Sequence, residues 1–231
     1  MFVSQMLAHS TEQRDRMAIQ DRTLSPGLNR VASWAGLALA IGGALTFLIN
    51  ALLTPLLPKG FEATAASSIF LWRQVASGVA AALLLYGAIG LYLVQAGVTG
   101  TLGALSFTLA FVGSALLLAM EWGEVFIVRT LALRSPEALR GLEGGPGLSP
   151  YDLGAMIAFG VFTLGWLAFG IATLRAGILS RRASWILIAG FILTPMLGWA
   201  RVWGAIAGNA VLAGGWLMLG TEVRIRARRP L

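Results

Sequence analysis

Long apolar runs separated by short polar breaks organise the chain. Six stretches, at about 31–57, 68–94, 102–133, 150–174, 184–198 and 202–221, carry few charges. Most approach the ~20 residues that a helix needs to cross a bilayer. Backbone polar groups in lipid must be satisfied within the segment itself, and no strand-like alternation competes with the runs. The pattern therefore predicts an all-α fold, a polytopic transmembrane bundle of six spans.

Inside the runs, small residues recur at spacings of three and four. Gly36, Ala40 and Gly43 share a stripe with Asn50 and Thr54 on the first run, and Gly204, Gly208 and Gly215 share one on the sixth. On the third, Gly103, Ser106, Ala110, Gly113, Ser114 and Leu117 lead down one face to Glu121 and Glu124. Small residues let helices approach closely in lipid. Gly36, Ala40, Gly43, Gly113, Gly204, Gly208 and Gly215 are accordingly expected to mark helix-packing faces.

The breaks carry local signals. Residues 1–30 are polar and lack the pattern of a signal peptide. Ser10 and Gln13 predict a capping box opening a short amphipathic surface helix, and Ser25-Pro26-Gly27 predicts a turn toward the membrane. Pro55 and Pro58 should end the first span. Ser135-Pro136-Glu137 predicts a short interfacial helix, EALRGLE, stopped by GGPG. Ser149-Pro150-Tyr151-Asp152 predicts a second capping box, which makes Asp152 first a helix-start residue. Thr194-Pro195 should kink or end the fifth span. Offsetting the chain by eighty also aligns Leu84, Ala88 and Gly90 with Leu164, Ala168 and Gly170, a faint sign of a duplicated hairpin.

Composition agrees with the pattern. The chain is 57% hydrophobic and 12% charged, with mean hydropathy +0.79, whereas soluble domains carry about 25% charged residues. The net charge of +7 does not point to nucleic acid, because its placement is topological. Four arginines precede the first run, three flank the loop after the fourth, and four lie in the tail. Placing them all on the cytoplasmic side requires an even number of spans with both termini inside. The expected organisation is a cytoplasmic segment at 1–30, the bundle at 31–221 and a basic cytoplasmic tail at 222–231. Arginine far exceeds lysine, and alanine and glycine are abundant, which fits a bacterial inner (cytoplasmic) membrane.

The chemistry is limited mainly by what is missing. There is no cysteine, the one histidine is His9 in the polar leader, and the one lysine is Lys59 in a loop. Thiolate metal sites, bis-histidine haem, Ser-His-Asp hydrolysis and an intramembrane Schiff base are excluded. No Walker loop, nucleophile elbow, HExxH or dinucleotide fingerprint occurs. No catalytic residue, metal site or cofactor is predicted.

The remaining polarity gathers at one level. With six spans, Asn50, Arg73, Gln74, Glu121, Glu124 and Arg201 all fall near the outer ends of their helices, with Arg129 and Asp152 nearby. An unpaired charge in hydrocarbon costs ~3 kcal/mol or more, so Glu121 is expected to find Arg73 or Arg201. Trp72, Trp122, Trp199 and Trp203 share that level. Two readings compete: an interfacial aromatic belt with structural ion pairs, and an outward-facing ligand pocket around Glu121. The midplane holds only Ser114, Thr194-Pro195 and Asn209 as polar interruptions. The leading expectation is a non-catalytic membrane protein that packs through its small-residue faces. Its partners would be the lipid bilayer and other membrane subunits or further copies of itself. The alternative is a small-solute transporter or ligand-binding sensor.

Overall fold

The computed structural model describes residues 25–140, 148–198 and 201–228, and every described element is helical. The expected amphipathic helix within residues 1–24, the GGPG stop, Trp199, the Arg201 side chain and the end of the tail lie outside the described residues.

The first helix, α1, spans Pro26–Leu48 and continues through a π turn at Ile49–Leu53 and a 3-10 turn at Thr54–Leu56. A short α2 (Phe61–Ala66) precedes α3 (Ser68–Leu93). Next, α4 (Ala96–Gly123) runs through a second π turn, Glu124–Val128, into α5 (Arg129–Arg134) and then α6 (Pro136–Arg140). The chain finishes with α7 (Pro150–Ala176), α8 (Arg181–Gly198) and α9 (Arg201–Arg228). Five helices are long and apolar enough to cross a membrane: Pro26–Leu56, Ser68–Leu93, Ala96–Arg134, Pro150–Ala176 and Val202–Arg228. The 18-residue α8 opens on two arginines and contains Pro195, yet packs in the same bundle.

Local chemistry accounts for the ends. Ser149 accepts from the Asp152 amide at 3.1 Å while the Asp152 carboxylate accepts from the Ser149 amide at 3.1 Å, the capping box expected there. Ser67 caps α3 by accepting from the Phe70 amide at 3.1 Å. Ser25-Pro26 corrects the expectation of a turn: Ser25 accepts from the Leu28 amide and Pro26 is the first helical residue. Proline suits that position because its missing N–H would be unsatisfied there anyway. Gly100, at φ 55°, interrupts the start of α4, so regular helix resumes near the expected boundary. Beyond 221, α9 stays helical through the basic residues, held by an Arg226–Glu222 ion pair and by Arg228 donating to Ser33 at 3.1 Å.

The long helices form a closed ring in chain order, α1, α3, α4, α7, α8 and α9, with α9 returning against α1. Glycines set four of the six joints along much of their length. A Cβ on Gly36 would meet the Gly220 carbonyl at 2.6 Å, and one on Gly87 would meet Leu39 Cβ at 2.7 Å. Gly113 and Gly165 lie against the backbones of Phe162 and Ala110, and Gly78 against Trp122. Gly190, Gly208 and Gly215 lie against Leu212, Thr194 and Leu187. The register of these contacts makes neighbouring helices antiparallel. Of the expected packing residues, Gly36, Gly43, Gly113, Gly208 and Gly215 press on neighbours inside this chain, Ala40 meets Gly220, and Gly204 is buried. The joint between α7 and α8 is the loosest, and its one close glycine contact, Gly170 on Ile188, lies toward the Arg181 end. The two aligned hairpins, α3–α4 and α7–α8, run in the same sense around the ring.

At the end remote from Ser25 and Arg228, a small extension stands on the bundle. Ala65, Phe70, Val128, Ala132 and Leu139 form its core, with Phe61 and Tyr151 packed against them. Arg129 binds the chain there by donating to the carbonyls of Ala66 and Ser67, and Arg140 pairs with Glu62 at 3.2 Å.

Candidate functional site

An up-and-down ring alternates helix direction, so the same end of the bundle collects the last turns of α1, α4 and α8 and the first turns of α3, α7 and α9. The predicted polar residues occupy those turns. The ring encloses a cavity of about 300 Å³ there, lined by residues from all six long helices.

Large aromatics form its floor. Phe162, Phe191 and Trp216 line it, with Trp166 directly beneath. Trp166 and Trp216 meet edge-on with centroids 5.5 Å apart, and Phe191 meets Trp216 in the same way at 5.5 Å. Trp166 donates to Ser114 Oγ at 3.0 Å, so its N–H is satisfied inside the apolar layer. Trp216 Nε1 is buried with no partner. Below the floor, Phe169, Leu187, Leu219 and Val223 fill the axis.

The walls are short side chains: Ser77, Ala80 and Ala81 of α3, Thr46 of α1, Thr163 of α7 and Thr194 of α8. Pro195 cannot donate to the Phe191 carbonyl four residues back, so that acceptor loses its ladder partner. The upper rim is polar, with Asn50, Arg73, Glu121 and Asn209 lining it.

A hydrogen-bond chain ties most of the predicted site residues together. Asn50 donates to the Thr46 carbonyl at 2.9 Å and accepts from Thr54 Oγ1 at 3.4 Å. Arg73 donates through Nε to Thr54 Oγ1 at 3.1 Å and through Nη1 to Gln74 Oε1. Gln74 in turn donates to Glu124 Oε2, and Tyr151 donates to Glu124 Oε1 at 2.5 Å. Glu124 is thus satisfied from α3 and α7, as its position on a membrane helix requires. The two π turns sit at this level, one holding Asn50 and one beginning at Glu124. Such turns shift the following residues off the regular helical face and often accompany functional sites.

Glu121 is the exception. It is 7% exposed and lines the cavity, and its Oε2 has no hydrogen-bond partner. The expected Arg73–Glu121 ion pair does not form among the described residues, because Arg73 is turned to Thr54 and Gln74. The alternative partner, the Arg201 side chain, lies outside them.

The outward-facing aromatics and the pocket are served by different residues. Trp72 and Trp203, at 65% and 81% exposure, face outward as a belt does, while Glu121, Glu124 and Gln74 face inward. Asp152 is a capping residue, and Arg129 binds carbonyls of the extension, so neither lines the cavity. Among the described residues, no three His, Cys, Asp or Glu side chains gather as a metal-binding group.

Sequence reasoning missed three parts of the site. Tyr151 was read only as part of a cap, although the first turn of a helix antiparallel to α4 had to lie beside Glu124. Trp216 and the wall residues Ser77 and Thr163 gave no signal, because facing the axis depends on helix rotation within the ring. No protein-family model, curated protein or solved structure matches the chain.

Proposed function

We propose that the protein is a non-catalytic membrane receptor that binds a small solute in the cavity enclosed by its six-helix ring. The observation that carries this reading is Glu121: a carboxyl group with an orphaned oxygen, buried in an apolar bundle, on the wall of an open cavity. A buried polar atom without a partner costs ~1–3 kcal/mol, and a ligand donor would supply the missing bond. Binding without passage is favoured by what lies beneath. The inner half of the axis is filled by Trp166, Phe169, Leu187 and Leu219, and transport would require these to repack. Carriers commonly place broken helices at their midplane site, whereas here both π turns lie at the outer level.

The proposed topology has six crossings, with α8 counted as the sixth, and both termini on the arginine-rich cytoplasmic side of a bacterial inner membrane. The cavity then opens toward the outer face. The expectation of an accessory subunit packing through glycine faces loses its motivation, since those faces meet neighbours within the chain. A partner would have to use other surfaces.

Native mass spectrometry of protein released from its own membrane tests the reading. A small molecule is expected to accompany the wild type and to be lost from Ala81→Phe and Thr163→Phe, which fill the cavity from two walls, while both variants keep their melting temperatures. Uptake into proteoliposomes should stay at background. Protein that carries no ligand, and binds no solute that these variants block, would refute the proposal.

A further inference from the structure

We propose that the ligand is an amphiphile with an ammonium head, admitted from the bilayer through the slot between α7 and α8; this rests on the cavity reading above. Two independent features carry it, the polarity of the rim and the shape of the ring.

The rim holds a buried acceptor that lacks a donor. Glu121 Oε2 is buried and has no donor. Asn50 and Asn209 each give one amide N–H to a helix carbonyl, at 2.9 and 2.8 Å; Asn50 Oδ1 already accepts from Thr54 Oγ1 at 3.4 Å, and Asn209 Oδ1 is the freer acceptor. Pro195 frees the Phe191 carbonyl. On the donor side, Thr46 and Thr194 give their hydroxyls to Gly42 and Gly190, at 2.9 and 2.8 Å, Arg73 gives two of its N–H groups to Thr54 and Gln74, and Trp216 Nε1 stays free at the floor, below the level of the rim. Among the described residues, two carboxyl groups, Glu121 and Glu124, face one guanidinium, Arg73, at this level. An ammonium head would give Glu121 Oε2 its missing donor and pair with its carboxylate, whereas a carboxylate or phosphate head would meet Glu121 directly.

The route follows from the joints. Glycine contacts close four of the other joints and the α3–α4 joint is well packed, whereas α7 and α8 make the loosest joint and Gly170 closes only its inner part. Outward of it, Phe159 and Pro195 line the cavity and are also exposed on the outer surface of the ring. That surface faces lipid, flanked by exposed Met156 and Ile192. Lipid would hold the tail of an amphiphile while its head reaches Glu121.

Binding of octylammonium, octanol and octanoate to the protein in lipid nanodiscs, corrected for partition into empty discs, tests the head group. Octylammonium is expected to saturate and to bind about tenfold more tightly than the other two, with Glu121→Gln reducing its affinity about tenfold and leaving octanol unchanged. Equal or tighter octanoate binding, or no effect of Glu121→Gln on octylammonium, overturns the inference. If octanol or octanoate still saturates and Ala81→Phe abolishes it, the cavity reading survives that failure. If none of the three shows binding that Ala81→Phe removes, the cavity reading falls as well. For the route, a spin label on Phe159→Cys, a unique thiol in a cysteine-free chain, should be relaxed more by oxygen than by a water-soluble nickel complex. The reverse order places the opening in water and overturns lateral admission.

Discussion

Replacing Gly165 by alanine tests the ring at one joint. A Cβ there would lie 2.5 Å from the Leu109 carbonyl carbon and the Ala110 nitrogen, and 2.7 Å from Ala110 Cα. Carbon atoms pack best at about 3.5–4.0 Å, so α4 must retreat by roughly 1 Å. These neighbours are backbone atoms, and no rotamer change can relieve them. Overpacking of this kind costs ~1–3 kcal/mol. Alanine also gains about 1 kcal/mol over glycine in helix propensity, which would blur a single measurement. Gly160→Ala, on the same helix, removes the ambiguity, because nothing lies within 4 Å of the added Cβ. The propensity gain is common to both and cancels in their difference. Equilibrium unfolding in mixed micelles should therefore find Gly165→Ala about 1–3 kcal/mol less stable than Gly160→Ala. Equal stabilities would mean that α4 and α7 do not meet at this register, and the cavity they help enclose would go with the joint.

Two further substitutions probe the link between the cavity rim and the extension. Tyr151→Phe deletes the 2.5 Å hydrogen bond to Glu124 and keeps the ring packed on Phe61; a loss of ~1–3 kcal/mol is expected on unfolding, and an unchanged midpoint would show that the bond does not hold Glu124. Arg129→Met keeps the apolar stem but removes the donors to Ala66 and Ser67; amide exchange in Phe61–Ala66 should rise about tenfold, and unaltered exchange would show that α2 is held by its apolar contacts alone.

What the sequence revealed divides along a physical line. Features set by near neighbours in the chain were legible: the apolar runs, the Ser149–Asp152 capping box, the proline-limited end of α1, and the level at which the polar residues gather. Ser25-Pro26 carried the same cap-and-proline signal as Ser149-Pro150, and the glycine after it drew the reading toward a turn. Features set by helix rotation and ring order were not legible. Periodicity placed Glu121 and Glu124 on one face, but it could not say that Gln74 and Tyr151 would satisfy both oxygens of Glu124 while Glu121 Oε2 stayed without a partner. It also found the glycine stripes without revealing whether they would meet a partner or the chain's own helices. Only ring closure, with α9 against α1, decides that they are internal.

The cavity has its own sequence code, distinct from that of the joints. Glycines draw the helices together where they touch, at Gly36, Gly87, Gly113 and Gly190. Along the axis the same helices carry Trp166, Trp216, Phe169 and Leu187 at the inner levels and close completely. At the outer level they carry Ala80, Ala81, Ser77, Thr163 and Thr194, which are too short to meet across a six-membered ring. Space of this size inside a bundle forgoes dispersion contacts that a filled core would make. Larger apolar side chains at two or three of these positions would make those contacts, as they do one turn further in. The chain instead keeps the space and lines its rim with Asn50, Arg73, Asn209 and Glu121, whose Oε2 has no partner. An outer level built this way forgoes packing that the inner levels have, as a space kept for the proposed solute would.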